Sequence, residues 1–231
     1  KEIQYSYTFD YKEVKQKAPP QSGNFAYRTK FDKKLDQSLL FLRTNDTSWY
    51  KLDKKNGLTM KLLPETCMGL GNPAFIGKRQ QHLTGSAATE MIFEAQKENE
   101  KAGMLIFQSE YNFYYICQSV KDGKQVVQLF KGNPKTKAMD LITEVPLESK
   151  KVQFKIEADR EFYSFYYTDN QGKWQLLKDK VDGKLVSTQT AGGFIGALYA
   201  LYATSSGEAS QNKAMFKWLD YSGNDAVHAK K

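Results

Sequence analysis

The 231 residues carry a net charge of +8, yet 34 Lys and Arg are interleaved with 26 Asp and Glu, and the cations fall in lysine pairs such as Lys33-Lys34, Lys54-Lys55 and Lys150-Lys151. A solvated surface accounts for that pattern. A nucleic-acid partner would call for arginines and a basic stripe on one element, and neither is present. Two cysteines, Cys67 and Cys117, are too few for a disulfide framework, and the longest apolar run, residues 194–203, is too short for a membrane helix and holds Gly196.

Residues 3–9 alternate like a strand, but residues 12–23 are charged, then Pro19-Pro20, then Ser22-Gly23, the composition of a linker. Residues 1–30 therefore read as an arm or interdomain connection, with a strand-like pattern resuming at residues 24–31, residues 31–223 as one domain, and residues 224–231 as a tail. The chain opens on Lys1 with no signal peptide, as a processed chain or a fragment does. Residues 38–43 form a short strand candidate. Trp49 to Leu52 leads into Asn56-Gly57, which supplies the positive φ values of a tight hairpin, and residues 58–63 return.

A polar loop, Gly71 to His82, combines two glycines, a proline, two cations, three amides and a histidine, and feeds a strand at residues 84–93. Residues 103–108 and 111–118 pair around Ser109-Glu110, and Asp122-Gly123 turns the chain into residues 126–130. Asn133-Pro134 breaks the run. Residues 152–158 place Val152, Phe154, Ile156 and Ala158 on one face and Gln153, Lys155 and Glu157 on the other, one buried and one wet. Residues 162–168 are apolar on both faces and are expected centrally. Asn170-Gln171-Gly172 turns into Trp174; residues 181–190 are ambiguous; residues 192–204 and 214–221 close the pattern. Turn signals every 8 to 14 residues or so, with almost no helical period, predict an all-β, two-layer antiparallel sandwich of the jelly-roll kind.

Three groups of side chains are candidates for function. Arg79, Gln81 and His82 are placed to hydrogen-bond a sugar or a partner domain, or else to satisfy backbone around a bent strand. Trp49, Tyr50 and Trp174 offer a stacking platform for pyranose rings, or else core packing. The cluster at residues 111–115 reads as sheet packing, and Cys117 as a small buried hydrophobe. No motif implies a cofactor. Asp220 with Asp10 or Asp32 is a candidate calcium site of hard oxygens, although Lys217 stands beside it. A catalytic carboxylate ladder would have to come from Glu94, Glu98 and Glu100, which lie in a charged loop.

Phe31-Asp32 with Leu35, then Phe41-Leu42-Arg43, Trp49-Tyr50 and Asn56-Gly57-Leu58, resembles the opening of the concanavalin-like β-sandwich that follows the catalytic domain in glycoside hydrolase family 43. Asn72 through His82 is similar to that module's most recognisable stretch. Ala102-Gly103 with Tyr114-Tyr115 follows, and Phe194-Ile195-Gly196 with Ala214, Phe216 and Tyr221 resembles its close. The resemblance spans residues 31–221. It implies a noncatalytic accessory domain of a β-xylosidase or α-arabinofuranosidase, packed on a propeller whose acidic residues perform the hydrolysis. It further implies a xylan- or arabinan-type saccharide, a secreted or periplasmic location, and no membrane. In that family the loop before the Arg-Gln stretch lends an aromatic side chain to the substrate pocket; here Phe75 is its only aromatic and Leu70 sits nearer its tip. The alternative is a freestanding lectin-like module.

Overall fold

The computed structural model describes residues 23–224. The strand-like run at residues 3–9, most of the linker and the tail after Asn224 lie outside the described residues. Two antiparallel sheets stack face to face, the first from strands in which buried and exposed residues alternate and the second around strands buried along nearly their whole length.

The first sheet contains β1 (Phe25–Lys30), β3 (Tyr50–Asp53), β4 (Gly57–Lys61), β6 (Thr84–Ile92), β11 (Lys151–Asp159), β12 (Phe162–Thr168), β13 (Trp174–Asp182) and β15 (Lys213–Asn224). Its order is β13-β12-β11-β6-β15-β4-β3. β15 is long enough to hold β6 along one side and to share the other between β4, at Lys213 to Phe216, and β1, at Trp218 to Gly223. The second sheet runs β10 (Ala138–Pro146), β9 (Lys124–Asn133), β8 (Asn112–Lys121), β7 (Lys101–Ser109), β14 (Leu198–Thr204), β5 (Ala74–Arg79) and β2 (Leu40–Phe41).

The all-β sandwich expected from the spacing of turns is the observed fold. The Asn56-Gly57 hairpin joins β3 to β4, with Gly57 at φ 79°. A Cβ there would also lie 2.3 Å from the Phe216 carbonyl oxygen. Main-chain conformation and interstrand space therefore both require glycine. Val152, Phe154, Ile156 and Ala158 of β11 face the core.

Several expectations are corrected. β1 belongs to the sheet, so the sandwich starts at Phe25 rather than residue 31. β12 lies next to edge strand β13, and Phe162 at its start is exposed. Residues 181–190 become the end of β13, a 3₁₀ turn over Gly183–Val186 and one helical turn, α1 (Thr188–Ala191). β10, an edge strand exposed or half-buried along its whole length, has too little apolar contrast to announce itself.

The core lies between the sheets, but the second sheet is covered on its outer face as well. Cys67 and Met68 pack there on Phe75, Phe107, Phe113, Tyr115 and Tyr202, and the Cys67 amide donates to Tyr202 Oη at 3.0 Å. Burial on both faces explains why residues 113–117 are apolar or aromatic throughout. It also pushes the thiols of Cys67 and Cys117 up to about 12. Neither cysteine is the reactive kind.

Candidate functional site

One end of the sandwich gathers features that folding alone does not require. The register brings them together: Leu198 of β14 faces both Arg79 and Phe107, Thr84 faces Asp159 and Asn224, and Phe25 faces Gly223. The loops after β5, between β7 and β8, between β11 and β12, and from β13 to β14 thus share this end with the first residues of β1.

Between them lies a cleft of about 390 Å³ whose lining includes Gln80, His82, Arg160, Tyr163, Lys184 and Ala197. Beside it the loop leading into β14 carries Phe194, 100% exposed, and the exposed Ile195, held among Gly192, Gly193 and Gly196, all at positive φ. Leu83 is exposed nearby. Leu70, 87% exposed, tops the segment before β5. Arg43 holds that segment in place by donating from Nη1 to the Gly71 carbonyl at 2.7 Å and from Nη2 to the Gly69 carbonyl at 2.6 Å. The same Nη2 pairs with Glu110, in the β7–β8 turn, at 2.8 Å. Leu70 is thereby drawn toward the end where Phe194 stands.

Beneath this rim sits a buried polar cluster. His82 Nε2–H donates to the Gly23 carbonyl at 2.9 Å, and Nδ1 lies 2.7 Å from Tyr221 Oη, which accepts the Gln81 amide at 2.8 Å. The ring stands edge-on to Phe25 at 4.8 Å. His82 therefore stitches β1 and β15 to the β5–β6 connection, while Arg79 and Gln81 are exposed, Gln81 at the lip of the cleft. Further along β5, the buried Lys78 Nζ donates to Ser38 Oγ at 3.1 Å and lies 4.4 Å from the centre of the Tyr27 ring.

Burial lowers the pKa of Lys78 to about 8. Between that value and its unfolded value the unfolded chain binds more protons, so this lysine makes stability rise with pH from about 8 to 10. Lys78→Met is expected to stabilise the domain at pH 7 by about 1 kcal/mol, because an ammonium no longer has to be desolvated. The gain should shrink as pH rises. Urea unfolding of both proteins across that window tests this, since the difference between them cancels the other titrating groups.

The expected aromatic platform is not assembled. Trp49 is 2% exposed, packed edge-on by Phe41 and Tyr50, so it presents no ring face. Trp174 lies on β13, and Tyr50 on β3, at the opposite edge of the same sheet. Phe75 is buried against Phe107 and lies away from the loop tip, which leaves Leu70 there. The calcium alternative loses its central ligand: both Asp220 oxygens accept from Arg28 at 2.6 Å, and Asp10 lies outside the described residues. The three glutamates are structurally engaged instead. Glu94 pairs with Lys150, Glu98 accepts the Asp122 amide, and Glu100 is buried in a hydrogen-bond network. Phe194 and Ile195 were missed because residues 192–204 read as one strand. The three glycines bracketing them were the available signal.

A two-sheet antiparallel sandwich with one apolar, cleft-bearing end defines a concanavalin-like domain. The description "Beta xylosidase C-terminal Concanavalin A-like domain" matches residues 28–222, and the chain belongs to that family. A xylosidase/arabinosidase from Butyrivibrio fibrisolvens is 30% identical over 190 residues, covering 81% of this chain and 35% of that protein. A solved family 43 enzyme from the xyloglucan locus of Bacteroides ovatus superposes with TM-score 0.78 at 28% identity, over 84% of this chain and 38% of its own. A xylan β-xylosidase from Bacillus halodurans shares the fold at TM-score 0.78 and 19% identity, over 92% of this chain and 41% of its own. The chain thus spans about a third of the length of the curated relatives it matches.

Proposed function

We propose that this domain is the noncatalytic accessory sandwich of a xylosidase- or arabinofuranosidase-type glycoside hydrolase and that it buttresses the active-site rim of a propeller domain in the same polypeptide. The observation that carries this reading is the bare apolar end. A phenylalanine wholly in water gains about 2 kcal/mol when covered, and Phe194, Ile195, Leu83 and Leu70 share one end. Exposed apolar groups gathered in this way mark an interaction surface.

The reading assigns the two carboxylates of glycosidic cleavage, one protonating the leaving oxygen and one activating water, to that other domain. Leu70 is what this domain offers a xylan- or arabinan-type substrate at the rim. The reading carries a secreted or periplasmic location, where such polymers are met.

The test uses the polypeptide that joins this domain to its catalytic partner. Phe194→Asp combined with Ile195→Asp is expected to split one thermal transition into two and to lower hydrolysis of nitrophenyl arabinofuranoside and xyloside by about tenfold or more, a loss of roughly 1.4 kcal/mol. The 231-residue chain alone is expected to hydrolyse neither. Activity in the chain alone, or indifference of the joined enzyme to the double substitution, overturns the proposal.

A further inference from the structure

Arg43 holds a backbone conformation that residues with a side chain rarely adopt. Its φ is 73°, and across it the Thr44 amide donates to the Leu42 carbonyl at 3.2 Å. That bond closes a γ-turn whose central residue has positive φ, the rare and strained form. Asp122, Lys137 and Arg160 also have positive φ, but each turns one hairpin strand into the next. Arg43 lies instead in the crossing from β2 of the second sheet to β3 of the first. Strain of this kind persists only where the surroundings fix it, and it gathers at functional positions.

What the strained turn aims is a guanidinium. It bonds the carbonyls of Gly69 and Gly71, on either side of Leu70, together with the Glu110 carboxylate of the β7–β8 turn. The base of the Leu70 segment is anchored without it: Thr204 Oγ1 donates to the Leu63 carbonyl at 3.1 Å and to the Glu65 carbonyl at 3.2 Å, and the Cys67 amide bonds Tyr202. The tip is different. Among the described residues, its one hydrogen bond besides those from Arg43 is the turn bond from the Gly69 amide to the Thr66 carbonyl at 3.3 Å. Leu70 is 87% exposed and adds nothing to the core. A strained turn and a forked guanidinium therefore fix the position of a residue that folding leaves in water.

We infer that Arg43 is a positioning residue: it holds the tip from Gly69 to Gly71 in one place, so that Leu70 meets the sugar as a preformed apolar contact. This role rests on the reading above, in which Leu70 faces the saccharide at the rim. A preformed contact spares the complex the entropy of ordering the tip. Leu70 touches the sugar equally before and during bond cleavage, so loosening the tip raises KM and leaves kcat nearly unchanged.

Two measurements test this. In the 231-residue chain, Arg43→Gly suits the positive φ but removes the clamp. It is expected to keep a thermal midpoint within a few degrees of wild type and to speed thermolysin cleavage before Leu70 about tenfold. In the polypeptide that joins this domain to its catalytic partner, Arg43→Gly should raise KM for nitrophenyl arabinofuranoside and xyloside about fivefold with kcat held. Leu70→Ala should raise KM at least as much, and the double variant no more than Leu70→Ala alone, because Arg43 acts through Leu70. Arg43→Lys, a point charge without the fork, should recover only part of the loss. Unchanged cleavage, additive rises in KM, or a rise in Leu70→Ala with none in Arg43→Gly overturns the role of Arg43 alone. A wild-type KM in Leu70→Ala overturns the rim reading of Leu70, and the role of Arg43 with it.

Discussion

Glu100→Ala is expected to cost about 3–4 kcal/mol, which in a domain of this size lowers the thermal midpoint by about 10 °C. Glu100 is buried and forms no ion pair among the described residues. Its charge is held by three donors: Ser210 Oγ at 2.6 Å, Asn212 Nδ2 at 2.8 Å and the Gln96 amide at 2.8 Å. Burial alone would raise its pKa, but these bonds, with that of the Lys97 amide, outweigh burial and lower it. Alanine removes the acceptor shared by the Ser210 hydroxyl and the Gln96 amide, while Asn212 keeps the Glu94 carbonyl. The same residues tie the loop before β7 to the β14–β15 connection, through Asn212 to the Glu94 carbonyl and Asn99 to the Ser205 carbonyl.

The pH dependence follows from the sign of that shift. The folded carboxyl releases its proton more readily than the unfolded one, so its stabilisation is complete above the ordinary carboxylate range and fades as pH falls through the folded value. The gap between wild type and Glu100→Ala should therefore narrow between about pH 6 and pH 3. Glu100→Gln, which keeps one acceptor but turns an amide toward the donors, should lie between them and show no such acid dependence. A gap constant with pH would mean that the carboxylate charge is irrelevant.

Alternation at β11 and the Asn-Gly turn at β3–β4 were legible because each is a local rule: period two for the first, positive φ for the second. The run at residues 111–118 was legible as strand. That its second face is covered was not, since the cover comes from Cys67 and Met68, far off in sequence. The same limit applied to the site. His82 was singled out rightly as unusual, but its partners Gly23 and Tyr221 are 59 and 139 residues away, and only pairing of β1 with β15 brings them together. Trp49 and Trp174 look alike in sequence; one is core and the other an open edge, a difference set by strand order.

Gly103→Ala should be the most damaging of the small substitutions, at about 3 kcal/mol or more. Gly103 sits in β7, between Cys117 of β8 and Tyr202 of β14, in the middle of the second sheet. Its φ is not in the left-handed region, so alanine suits its backbone, and the cost is contact alone. An added Cβ would meet the Ile116 carbonyl oxygen at 2.1 Å and Cys117 Cα at 2.7 Å. Those are backbone atoms of a strand packed on both faces, so relief requires β7 and β8 to part and their ladder bonds to lengthen.

Gly123 supplies the contrast. It has φ 74° and no atom within 4 Å of an added Cβ, so Gly123→Ala pays only for conformation, about 1 kcal/mol. Trimming the neighbour with Cys117→Ala should not rescue Gly103→Ala, because the obstruction is main chain rather than thiol. Urea midpoints for these three variants and the double variant distinguish the two kinds of glycine. Equal losses at Gly103 and Gly123, or rescue by Cys117→Ala, would show that β7 and β8 are less tightly apposed than their register requires.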